Sequence, residues 1–113
     1  MKYVQLRVEQ DSEGVTLDWR EVTRSIIRRP LDMQKGAEIE EIRKGIRVLD
    51  AVDQAEPNLL GLEDADWEHL KEKTLKFAWG VVDRRVLQYI DDVLGATEKP
   101  TLNGVFEELR EPA

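Results

Sequence analysis

Residues 61–79, GLEDADWEHLKEKTLKFAW, hold the chain's only histidine, His69, among five carboxylates. Imidazole and carboxylate groups move protons and bind divalent cations near neutral pH. Asp66 and His69 stand at i, i+3, the spacing of the Glu-x-x-His half-site in di-iron bundles. Such a centre needs a second half-site, and the chain has no second histidine. Glu63, Asp64 and Asp66 instead suit the first turn of a helix, where free N–H groups and the helix dipole favour negative charge. On that helix Trp67, Leu70, Thr74, Phe77 and Val81 form one stripe, and His69 lies about 125° from its centre. His69 is therefore expected at the surface, with no catalytic or metal role.

Other chemistry is scarce. There is no cysteine, so no disulfide, thiolate nucleophile or Cys-based zinc site. Ser12 and Ser25 lie outside any G-x-S-x-G pattern. No glycine-rich phosphate loop is present. Two carboxylate pairs, Glu38 with Glu41 and Asp50 with Asp53, have a spacing that suits Mg²⁺ held with a substrate phosphate. Such pairs are common on any charge-rich helix. No catalytic residue, metal ligand or cofactor is expected.

The clearest charge feature is basic. Arg20, Arg24 and Arg28 recur every four residues, one stripe of a helix, with Arg29 and Lys35 nearby. This patch could bind nucleic acid or an acidic protein partner, or pair with acidic groups of the same chain or of a second copy. Few aromatics flank it, which disfavours single-stranded nucleic acid. Net charge is divided unevenly: residues 1–48 carry 10 basic and 9 acidic side chains (+1), residues 49–113 carry 7 and 15 (−8). An acidic half repels a nucleic-acid backbone. It serves solubility, or docks on a basic partner as a nucleic-acid mimic would.

These residues need elements to hold them. At 113 residues one domain is expected. YVQLRV (3–8) and VTLDW (15–19) alternate as strands, with Gly14 in the turn between, and together they read as a hairpin. Residues 18–29 fit a short helix capped by Asp18 and stopped by Pro30, although β-branched residues leave a third strand open. Residues 30–58 hold the best helix, with Asp32 as N-cap and Pro57 beyond its end. Its seam of Ile39, Ile42, Ile46 and Leu49 is expected in the core, widened by Val48 and Val52, with Gly45 admitting another backbone closely. Residues 58–64 are a break or a short strand. Residues 64–95 are one bent helix or two, closed by Gly95.

The expected fold is α+β, an N-terminal β-hairpin packed on three to four helices over residues 1–95. Residues 96–113 are expected to be a linker and a short amphipathic tail carrying Phe106 and Leu109. No apolar run is long enough for a membrane span and the N-terminus does not read as a signal peptide, so a cytoplasmic location is expected.

LEDADWEHLKEK followed by FAWGVVDRRVLQYIDDV resembles the helical part of small proteins from tailed-phage and prophage structural-gene clusters, over at most residues 59–95. The resemblance implies a virion assembly or accessory protein without catalytic residues. Three function classes stay open. The first is a non-catalytic interaction or assembly protein, not an enzyme, that binds a protein partner or itself through Arg20, Arg24, Arg28, Phe106 and Leu109. The second is an acidic mimic of nucleic acid. The third is a small Mg²⁺ or Mn²⁺ carboxylate enzyme.

Overall fold

A computed structural model describes residues 1–10, 13–55 and 58–98. The predicted tail with Phe106 and Leu109 lies outside the described residues. The elements run β1 (Lys2–Gln5), β2 (Val8–Gln10), β3 (Thr16–Asp18), α1 (Trp19–Arg28), α2 (Ile39–Gln54), β4 (Leu59–Leu62), α3 (Asp64–Lys76) and α4 (Arg84–Leu94). The fold is α+β, as expected.

The alternating residues 3–8 serve two strands, not one. β2 pairs antiparallel with β3, Val8 opposite Asp18 and Gln10 opposite Thr16, around a turn that includes Gly14 at φ 83°. β1 instead pairs with β4, Lys2 opposite Leu62 and Gln5 opposite Leu59. The chain changes partner at Leu6 and Arg7. The N–H of Leu6 donates to Asn58 O at 2.7 Å, and Arg7 O accepts from Trp19 N at 3.0 Å. Strand period is the same for either partner, so alternation alone does not say which strands pair. On the other edge of β1, Tyr3 N donates to Thr97 O.

Residues 19–28 form a helix because Asp18 caps it, its Oδ1 accepting from Arg20 N at 2.9 Å. Pro30 forbids continuation. Asp32 does not cap α2. It caps the turn before it, accepting from the N–H groups of Gln34 and Lys35, and α2 starts only at Ile39. α3 and α4 are separate helices, parted at residues 77–83. Asp83 caps α4 through Arg85 N, and Gly95 closes it.

The core joins β1, β4 and all four helices: Val4, Leu6, Ile26, Val48, Leu60, Leu70 and Val93 are each essentially excluded from solvent. At one side Trp19 stacks on Tyr89, centroids 4.8 Å apart, and Trp79 meets Tyr89 and Phe77 edge-on. The Tyr89 hydroxyl meets Thr23 Oγ1 at 2.7 Å, and Thr23 Oγ1 donates to Trp19 O. Each tryptophan N–H is bonded: Trp19 to Glu9, Trp67 to Val93 O, Trp79 to Thr74 O. No described helix is long and apolar enough to cross a membrane.

α2 is turned from the expected orientation. Its buried face is Gly45, Val48 and Val52. A Cβ on Gly45 would stand 3.3 Å from Ile27 Cγ2, so α1 crosses α2 at this glycine. The isoleucines expected inside are outside: Ile39, Ile42 and Ile46 are 68%, 51% and 50% exposed. Leu49 alone of that seam is partly buried.

Candidate functional site

α3 is also turned. Its buried residues are Asp66, His69, Leu70, Lys73 and Thr74, so His69 is 5% exposed and not at the surface as expected. Leu70 and Thr74 are on the expected stripe. Asp66, His69 and Lys73 were missed because charged and polar side chains do not register in a hydrophobic period.

These residues form a polar joint between helices. Lys73 Nζ donates to Ile27 O at 3.0 Å and to Arg29 O, and pairs with Glu41 Oε2 at 2.6 Å. The ammonium thus closes the C-terminal end of α1, where helix carbonyls lack intrahelical partners. Glu41 also accepts from Leu31 N at 2.9 Å, which fixes the chain leaving α1. Burial is the largest influence on Glu41 and opposes its charge. The Lys73 hydrogen bond, the Leu31 N–H and the charges of Lys73 and His69 outweigh it, and hold its pKa below the ordinary value.

His69 lies one turn before Lys73. Burial lowers its pKa most, and Lys73 and Lys44 lower it further against the opposing pull of Glu41 and Glu72. Its Nε2 is buried and has no hydrogen-bond partner among the described residues. Asp66, its i−3 neighbour, receives Arg47 Nε at 2.9 Å. No group of three His, Cys, Asp or Glu converges as metal ligands would among the described residues. The three protons of the Lys73 ammonium each have an acceptor within the fold. The joint's geometry is that of a structural lock.

Two of the stripe arginines turn inward to the same helix pair. The Arg20 guanidinium donates to Val52 O at 2.7 Å and Ala55 O at 2.8 Å, closing the end of α2. Arg24 pairs with Glu21 and, at 2.7 Å, with Asp53. Arg28 is exposed. It lines a groove with Ile42, Ile46 and Leu49, in which the α1–α2 crossing forms the floor. Of the carboxylate pairs, Glu38, Asp50 and Asp53 are exposed, and Glu41 belongs to the lock.

Large apolar side chains are also exposed. The outward face of α2 presents Ile39, Ile42 and Ile46, with Leu49 at its edge. A second exposed group, Val81, Val82 and Leu87, lies beside Trp79 where α3 gives way to α4. Scattered exposed apolar residues are ordinary, whereas these three isoleucines stand at helical spacing on one face. The sequence signal for it was the seam itself, read with the wrong side inward. No family model matches the chain, and no curated protein or solved structure matches it.

Proposed function

We propose that this is a non-catalytic protein that works by binding protein, and that its docking surface is the outward face of α2. The observation that carries this reading is the exposure of Ile39, Ile42 and Ile46, each half or more open, on a helix that packs inward by Gly45, Val48 and Val52. Removing a fully exposed isoleucine from water is worth roughly 1.5–3 kcal/mol. A helix face with anchors at i, i+3 and i+7 is a recurrent recognition mode. Arg28, at the rim of the groove, adds a positive edge to the patch. A role in virion assembly is the form of this function that the resemblance of residues 59–95 implies, and Phe106 and Leu109 are proposed as a further contact.

A photo-crosslinking side chain placed at Ile46, with a control at Lys76 on α3, tests the reading in the native host. Protein adducts at Ile46 that are absent at Lys76 support it. A stripe that crosslinks no protein contradicts it.

A further inference from the structure

We infer that the occupant of this stripe is α2 of a second copy of the chain, packed antiparallel about a two-fold axis. The inference rests on the binding reading above and adds the identity of the partner. Ile39, Ile42, Ile46, Leu49 and Asp53 repeat at 3, 4, 3 and 4, the period of a helix–helix seam. An antiparallel pairing that sets Ile42 against Ile46 of the second copy also sets Ile39 against its Leu49. Every apolar position of the seam then meets an apolar position.

The charges beside the seam select this arrangement. Arg43 and Asp50 are both exposed and lie on the same side of the stripe. They are seven residues apart, about 10.5 Å along the helix, too far to pair with each other. Neither has an ion pair or hydrogen bond among the described residues. In the antiparallel pairing, flanking positions of one side face each other across the two helices. Arg43 then meets Asp50 of the second copy, and the two-fold repeats the pair. A parallel pairing would instead set Asp53 against Asp53 of the second copy within the seam, a like-charge contact. In the antiparallel pairing Asp53 falls beyond the last apolar layer and keeps its partner Arg24. α2 has 16 residues, about 24 Å, so the contact is at the small end of specific interfaces.

The test is sedimentation equilibrium of the full chain as wild type, Arg43→Asp, Asp50→Arg and the double reversal, together with the Ile46 crosslinker. Both charges are exposed, so circular dichroism should show all variants folded. The wild type should dimerise. Each single reversal creates two symmetric like-charge contacts and should weaken dimerisation roughly tenfold or more. The double reversal restores the pairs and should return association close to wild type. A dimer indifferent to the single reversals, or one the double reversal does not restore, overturns the inference. A monomeric wild type whose Ile46 crosslinks a different protein, or residues 99–113 of its own chain, also overturns it. In the first case the binding reading survives. A monomer whose Ile46 crosslinks nothing overturns both.

Discussion

The ammonium of Lys73 lies 2.6 Å from the carboxylate of Glu41, inside the joint of α1, α2 and α3, with the lysine side chain 3% exposed. An ion pair this deep is not by itself evidence of high stability, because both charges lose hydration. Its consequence is that neither partner is removable alone.

Lys73→Met should therefore lower stability by about 3–5 kcal/mol, since it strands the Glu41 carboxylate and two carbonyls at the end of α1. Glu41→Leu strands the ammonium and should be comparably damaging. Urea unfolding of the single and double variants checks this. The double variant should lose less than the two single losses added together. Additive losses would mean that the pair is not coupled.

His69 gives the fold a dependence on pH near neutrality. Its folded pKa lies below the ordinary 6.5. As pH falls through 6.5, the unfolded chain takes up a proton that the folded chain resists, so stability decreases until the folded value is passed. Glu41 acts lower. Its folded pKa lies below 4.5, so the stabilisation it contributes is present above that value and fades as pH falls through its folded pKa. Urea midpoints from pH 8 to pH 5.5 should fall for wild type and flatten for His69→Gln. An unchanged slope in the variant would assign the dependence elsewhere.

Two of the three isoleucines expected in the core should show that they tolerate truncation. Ile42→Ala and Ile46→Ala, measured where the chain is monomeric, should stay within about 0.5 kcal/mol of wild type. Leu60→Ala and Leu70→Ala, both fully buried, should each lose about 2–5 kcal/mol. Denaturant melts of the four variants separate the outward face of α2 from the core built by β4 and α3, and isoleucines as sensitive as the leucines would place that face inside.

Tyr89 should ionise late. Burial, the largest effect, raises its phenol well above 10.0 despite the hydrogen bond to Thr23. An ultraviolet titration should show the Tyr89 phenolate forming only with unfolding. Tyr89→Phe should remove the late step and destabilise the fold by about 0.5–1.5 kcal/mol.

Element types were legible in the sequence, and helix orientations were not. Asp18, Pro30 and Gly95 set boundaries that hold because capping and proline geometry are local. The buried face of α2 stands about 100° from the seam of large apolar residues, and that of α3 about 50° from its stripe. In α2, Gly45 lets α1 approach so closely that two valines and a glycine suffice for packing. In α3, a histidine and a lysine occupy core positions because Glu41 and the carbonyls of α1 receive the lysine. Both faces depend on what the neighbouring helix brings, which no single helix records. The Arg20–Arg24–Arg28 stripe was legible as a helix face. That Arg20 closes the end of α2 was not, because it requires knowing that α1 and α2 run side by side.

In the proposed dimer, α2 keeps Ile39, Ile42 and Ile46 outside because they form the interface between two copies of the chain. Sedimentation equilibrium of the full chain and of its Ile46→Asp variant tests this. The wild type should rise with concentration from the 13.1 kDa of one chain toward twice that mass. Ile46→Asp should stay at one chain's mass with its circular dichroism spectrum unchanged. Equal masses for the two proteins, or an unfolded Ile46→Asp, would contradict the claim.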